Sequence, residues 1–254
     1  MELKTILVTG GTGKVGMQLV EHFLKEQYHV IITSRSQQKI DEISQRFDQE
    51  GFSNTFDCIH IDLEKEDAVQ HMMQWFEERG CWPNILVNNA RNINYTTIEN
   101  GYMKRSNWIG ELTLDVVVPY ELTMAFADHP NSKLENVINI ASMYGVVAPN
   151  PHLYENPKTE SPINYGVAKA ALLHLTKELA IRLAADDIRV NAISYGGIVG
   201  RVTDAFKQRY RQLCPIGRML EEKEVVGAVH FLASQHSTGM TGQNLVVDGG
   251  WSVW

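Results

Sequence analysis

Short apolar runs alternate along this chain with longer segments in which apolar residues recur every three or four positions. The runs at 5–9, 29–33, 55–61, 84–87, 136–140, 189–193 and 244–247 are rich in Val, Ile and Leu, and short enough to be strands buried on both faces. Between them, the segments 16–27, 37–48, 66–79, 103–127, 164–184 and 221–232 carry the helical spacing. Strict alternation of the two patterns predicts an α/β fold, a doubly wound sheet of about seven parallel strands with helices on both faces. No Ser/Gly linker, repeat or low-complexity run interrupts it, so residues 1–254 are expected to form a single domain.

Three stretches fall outside both patterns, 91–102, 148–163 and 196–212. They follow the fourth, fifth and sixth strands and so belong at the carboxyl edge of the sheet, where open α/β sheets bind ligands. The 148–163 stretch is rich in Pro and Asn and carries His152, Tyr154, Glu155, Asn156 and Lys158, which is too polar for core. It is expected to be a substrate-facing insertion, and 196–212 a substrate lid.

Composition narrows the partners. A net charge of -7 without clustered Lys and Arg excludes nucleic acid. No segment approaches the apolar length of a membrane span, and the first strand begins too soon after Met1 for a secretory leader, so a cytoplasmic protein is expected. Cys58, Cys81 and Cys214 are scattered without a C-x-x-C pair or neighbouring His, which supports neither a disulfide framework nor a metal site. In a chain that stays in the cytoplasm, the Asn94-Tyr95-Thr96 sequon carries no meaning.

The first strand runs into Thr9-Gly10-Gly11-Thr12-Gly13-Lys14-Val15-Gly16, and a helix follows at once. Glycines there let the backbone turn sharply and approach a pyrophosphate at the helix N-terminus, where free N–H groups and the dipole favour anions. The spacing is Gly10-x-x-Gly13-x-x-Gly16 rather than the usual G-x-G-x-x-G. Val15 follows Lys14 where a triphosphatase loop needs Ser or Thr for magnesium, so that chemistry is excluded. After the second strand the chain reads Thr33-Ser34-Arg35-Ser36, with no acid to take a ribose 2′-hydroxyl and an arginine able to fork onto a 2′-phosphate. NADP(H) is therefore favoured over NAD(H), with Lys14 a candidate second cation. A solvated loop arginine is the plainer alternative.

Tyr165 and Lys169 stand four residues apart at the start of a helical pattern, so both project from one face. A free phenol is a poor acid or base at neutral pH, and a neighbouring ammonium favours its charged form. Ser142 lies just past the fifth strand, at the edge this helix should reach, where its hydroxyl can hold a substrate oxygen. A lone Tyr-x-x-x-Lys pair is common in chains of this size. Its weight here comes from its place downstream of a phosphate-cradling loop, on the same edge of one sheet.

These residues resemble the short-chain dehydrogenase/reductase family over essentially the whole chain. The marks are the Thr9–Gly16 loop, Asp62-Leu63, Asn88-Asn89-Ala90, Ser142, Tyr165-Gly166-Val167-Ala168-Lys169 and Asp248-Gly249-Gly250. The resemblance implies that Asp62 and Leu63 flank the adenine, that Asn89 and Ala90 border the adenosine side, and that Gly196 to Ile198 border the nicotinamide. It also implies a homo-oligomer, a tetramer or dimer built through the fourth and fifth helices. The long spacing from Ser142 to Tyr165, the Leu153-Tyr154-Glu155 segment and the Trp-Ser-Val-Trp terminus resemble more loosely a bacterial subgroup linked to surface-sugar and flagellin-glycan biosynthesis. A sugar or nucleotide sugar is then the expected substrate.

Four positions depart from the family pattern, the first being Lys14, which stands where the family usually has glycine. Arg91 replaces the glycine after Asn-Asn-Ala, and Tyr195 replaces the proline after the sixth strand; with His152 and Tyr154 these are the candidate substrate residues. Asp115 falls where the family has an asparagine that joins the proton relay to Lys169, unless the alignment shifts by one residue. The leading expectation is an oxidoreductase interconverting a carbonyl and a secondary alcohol. The alternatives are a cofactor-binding regulator with a degenerate site, and an epimerase or dehydratase with retained cofactor.

Overall fold

The computed structural model describes residues 3–200 and 202–254. Its seven strands are β1 (Thr5–Val8), β2 (His29–Ser34), β3 (Phe56–His60), β4 (Ile85–Asn88), β5 (Asn136–Ser142), β6 (Arg189–Tyr195) and β7 (Asn244–Val247). All neighbours pair in parallel, in the order β3-β2-β1-β4-β5-β6-β7. Successive side chains on a strand alternate between faces, and here each face meets its own core. Ile6, Val8, Val30 and Ile32 point to one side, with Leu19, Phe23 and Val229. Leu7, Ile31, Leu86 and Val190 point to the other, with Phe76, Leu122, Phe126 and Leu179. This double burial explains why the strands read as continuous apolar runs.

The helices are α1 (Lys14–Lys25), α2 (Gln37–Gln49), α3 (Ala68–Arg79), α4 (Arg105–Leu112), α5 (Val118–Ala127), α6 (Pro157–Glu160), α7 (Ile163–Arg182), α8 (Asp204–Leu213) and α9 (Val226–Ala233). Among the described residues no helix is long and apolar enough to cross a membrane. The chain leaves β1 toward β2 and leaves β4 toward β5, so the strand order reverses between two adjacent strands and opens a crevice at their carboxyl ends.

Three segments differ from the expectation. Helix α1 starts at Lys14, two residues before the apolar pattern begins, because Gly13 already takes the extended N-cap conformation. The 103–127 segment is not one regular helix: α4 and α5 are joined by a π-turn at Thr113–Val117. Pro119 has no N–H to give the Asp115 carbonyl, and the Val118 N–H reaches back five residues to the Thr113 carbonyl. The 196–212 stretch contains most of α8, which the sequence hides because, beside the small Ala205, only Phe206, Tyr210 and Leu213 break a run of polar residues. Thr203 caps it, its Oγ accepting from the Phe206 N–H at 3.2 Å.

Candidate active site

The crevice between β1 and β4 widens into a cleft of about 800 Å3 that runs from the glycine turn to the α7 N-terminus. Gly10 has φ +64°, and a Cβ there would lie 2.8 Å from the Ala90 Cα, so only glycine lets the turn after β1 rest on the turn after β4. Thr9 ties the two together: its hydroxyl accepts from the Asn89 and Ala90 N–H groups at 2.9 and 3.0 Å and donates to the Val87 carbonyl at 3.3 Å. The Asn89 side chain returns a bond to the Thr9 carbonyl at 2.9 Å. Gly13 caps α1 without a side chain, so the first-turn N–H groups beside Thr12, Lys14 and Val15 face the cleft without a side-chain cap. Gly16 lies beneath, close on the Gly10 carbonyl. A bare helix N-terminus behind a close-packed glycine turn is a fit for a pyrophosphate.

The end of the cleft beyond β2 is polar. Thr12 and Ser34 share a hydrogen bond at 2.9 Å, and Arg35 lies 3.5 Å from Glu64 and donates to Asn92 at 3.4 Å. Glu64 is itself held by Asn92 at 3.0 Å and by the Tyr95 hydroxyl, a contact that pushes the phenol up to about 12. Lys14, a candidate partner of Arg35, instead reaches Glu222 at 3.1 Å on the opposite rim, beside Gly200. The second cation lining the Arg35 end is Lys39, from the first turn of α2. Asp62 and Leu63 line the same end, and Gly196 and Ile198 line the cleft beyond β6.

At the far end Ser142, Tyr165 and Lys169 come together. Ser142 ends β5, and the turn Met143–Gly145 packs on α7: a Cβ at Gly145 would stand 2.8 Å from the Lys169 carbonyl carbon. The Ser142 Oγ accepts from the Tyr144 N–H at 3.2 Å. The Asn164 side chain, donating to the Tyr95 and Asn107 carbonyls at 2.8 and 3.2 Å, anchors the start of α7 to α4 and the preceding turn. The buried Lys169 Nζ lies 5.8 Å from the Tyr165 ring centre and donates to the Ile140 carbonyl at 2.9 Å and to Asp115 Oδ1 at 3.0 Å. Asp115 thus sits behind the lysine, out of the cleft, and its Oδ2 is buried without a partner among the described residues.

Sequence reasoning passed over four residues of the site, Glu111 and Tyr144 at this end and Glu64 and Lys39 at the Arg35 end. Glu111, four positions before Asp115, is 2% exposed, and neither carboxyl oxygen has a partner among the described residues. Burial, followed by the charge of Asp115, pushes its carboxyl up to about 7. Its position on the apolar face of a helical pattern, in line with Leu114, Val118 and Leu122, is the signal that marked it. Tyr144 forms a 2.8 Å hydroxyl–hydroxyl bond with Tyr154, and burial raises both phenols.

The structure treats the substrate candidates unequally. Arg91 is open to the cleft, its guanidinium 4.0 Å above the Tyr165 ring. Tyr154 also lines the cleft. His152 does not: the Asn150 side chain caps the turn Pro151–Leu153, Leu153 turns fully inward, and His152 is left outside. Tyr195 borders the cleft, but its hydroxyl donates to the Val225 carbonyl and is not available to a substrate. Among the described residues no group of three or more His, Cys, Asp or Glu is placed to hold a metal.

A family model described as enoyl-(acyl carrier protein) reductase matches residues 13–252. The chain belongs to the short-chain dehydrogenase/reductase family and is a short-chain oxidoreductase. It is 27% identical over 259 residues to post-translational flagellin modification protein A of Campylobacter coli, with 100% of both chains covered. It is 29% identical over 254 residues to a 3-oxoacyl-(acyl-carrier-protein) reductase of Chlamydia pneumoniae, covering 97% of this chain and 96% of that one. A solved short-chain dehydrogenase from Leptospira borgpetersenii, with bound NAD+, superposes with a TM-score of 0.85 at 30% identity, covering 99% of this chain and 94% of that one.

Proposed function

We propose that this oxidoreductase interconverts a carbonyl and a secondary alcohol on a polar substrate such as a sugar or nucleotide sugar, using a nicotinamide dinucleotide in the cleft. The observation that carries this is the single cleft in which an uncapped glycine turn at one end meets Ser142, Tyr165 and Lys169 at the other. The NAD+ in the Leptospira borgpetersenii structure and the full-length likeness to the flagellin modification protein support the cofactor and the substrate class. Bound there, the nicotinamide supplies or accepts the hydride.

The side chains divide the remaining work. The Ser142 hydroxyl donates to the substrate carbonyl oxygen and orients it. The Tyr165 hydroxyl gives that oxygen its proton during reduction and takes it back during oxidation. Lys169 has three N–H donors; Ile140 and Asp115 take two, which leaves the third for the cleft side, next to Tyr165. Asp115 accepts from the lysine directly and holds it in that orientation. Tyr144, Tyr154 and Phe206 wall the substrate end, and α8 serves as its lid. Turnover should be tested on a panel of polar ketones and sugars. Tyr165→Phe is expected to lower kcat by about 10^2- to 10^4-fold, and equal rates for variant and wild type reject the assignment.

NADP(H) is the preferred cofactor in this reading, because Arg35, Lys39, Ser34 and Thr12 surround the place for a 2′-phosphate. Fluorescence titration is expected to show tighter binding of NADPH than of NADH. The reverse order would mean that Glu64, holding Arg35, takes a ribose hydroxyl instead.

A further inference from the structure

Among the described residues, Arg91 is the cation beside the reacting end that has no acidic partner within ion-pair distance. Its guanidinium carries five N–H donors, yet among the described residues none meets a hydrogen-bond acceptor or a carboxylate within ion-pair reach; its one close contact is the face of Tyr165. Among the described residues, three other cations of the cleft are engaged, Lys169 with Asp115, Arg35 with Glu64 and Lys14 with Glu222, while Lys39 stands at the distant Arg35 end. The groups facing Arg91 are Tyr165 from α7, with Glu111 and Asp115 from the α4 wall. Asp115 is spent on Lys169. Glu111, with its carboxyl near 7, is only partly ionised at neutral pH and cannot cancel the guanidinium charge. The local balance is therefore positive, at a point beside the hydroxyl that handles the substrate proton.

We propose that Arg91 is an oxyanion receptor, so that the substrate carries a carboxylate or phosphate close to its reacting carbon. A forked guanidinium matches two oxygens of either group. Cation and ring fix where the anion lies: a group bonded to the exposed N–H edge of Arg91 sits next to the carbon whose oxygen meets Tyr165. The neighbouring glycine turn supplies its own donors for a cofactor phosphate, whereas the Arg91 guanidinium stands over Tyr165, with Glu111 and Asp115 as its nearby acids. This assignment rests on the carbonyl–alcohol reading above and narrows its substrate to an acidic one.

Matched probes test it by binding as well as by turnover. Acetoacetate against methyl acetoacetate, and dihydroxyacetone phosphate against dihydroxyacetone, are titrated into wild type, Arg91→Ala, Arg91→Lys and Tyr165→Phe with NADPH saturating, following the thermal midpoint. The wild type and Tyr165→Phe are expected to bind an anionic member about 10- to 100-fold more tightly than its neutral partner. Arg91→Ala should lose that preference, and Arg91→Lys should keep a part of it. The carboxylate pair and the phosphate pair distinguish the two kinds of oxyanion. Equal binding within both pairs in the wild type overturns the proposal, as does an anion preference that survives Arg91→Ala. A loss of NADPH affinity in Arg91→Ala with the preference intact assigns the guanidinium to the cofactor, and overturns it too. Because Tyr165→Phe keeps the receptor and removes the proton donor, its binding preference separates failure of the receptor from failure of the catalytic reading.

Discussion

The two walls of the cleft are built on opposite terms. On the glycine-turn wall, polar side chains are spent on backbone: Thr9 bonds three neighbours, Thr33 takes the Gly10 N–H at 3.0 Å, and Ser34 bonds Thr12 and the Ser36 N–H. On the wall formed by α4, the π-turn and the start of α7, Glu111, Asp115 and Asn164 each hold buried oxygens with no partner among the described residues. The first wall is a rigid mould. The second keeps charge and unused hydrogen-bonding capacity next to Tyr165 and Lys169, at a standing cost in stability. The chain thus keeps its satisfied and its unsatisfied polar groups on different walls of the cleft.

Replacing Asp115 strains that contrast most. Asp115→Ala leaves the Lys169 ammonium buried with only the Ile140 carbonyl, and breaking a buried pair from one side costs about 3–5 kcal/mol. Asp115→Asn keeps an acceptor for the lysine and should recover most of that stability. Chemical denaturation of both variants decides it; if alanine and asparagine are equally mild, the carboxylate does not support Lys169.

Glu111 gives the next largest effect, and one with a pH signature. Its carboxyl is raised from an ordinary 4.5 to about 7, so the folded state keeps a proton that the unfolded chain releases between those values. For a raised acid the stabilising contribution is complete below pH 4.5 and is lost as pH climbs through 7. The loss amounts to about 3 kcal/mol. Glu111→Gln has no such proton to lose, so its stability relative to wild type should rise by that amount from acid to mildly alkaline pH. A difference that stays flat from pH 5 to 8.5 would show that Glu111 is already matched by a counter-charge, and the contrast between the walls would fail on this side.

These features were unequally legible in the sequence. The sheet and its order of elements were written in apolar periodicity, because the central strands are covered on both faces and the few polar residues in them, such as Asn139 and Asn191, do not break the apolar runs. The mould was legible too, since Gly10, Thr9 and Asn89 are dictated by backbone proximity. The π-turn was not: helical spacing in 103–127 drifts by one residue, and only Pro119 hinted at the cause. Helix α8 stayed hidden because three apolar residues make too thin a stripe. The placement of Tyr195 and His152 was not legible for a related reason: residue type gives the chemistry a side chain can do, while its direction depends on partners such as the Val225 carbonyl and the inward turn of Leu153. Arg91 itself could be seen in sequence, but its want of an acidic partner among the described residues could not.

The mould predicts the smallest change. Thr9→Val is close in shape and deletes only the hydroxyl, which leaves the half-buried Asn89 and Ala90 N–H groups without their acceptor. The expected loss is about 2 kcal/mol, within the range for orphaned donors. None of the atoms involved titrates, so the loss should be the same at pH 5 and pH 8, where Glu111→Gln shows its steepest change. The turn after β4 carries Arg91 and abuts the glycine turn, so loosening it should also weaken NADPH binding modestly while leaving the pH profile of turnover in place. Denaturation at the two pH values checks the first part, and fluorescence titration the second. A pH-dependent loss in Thr9→Val would mean that the mould and the titrating wall are energetically coupled, and that the division between them is not real.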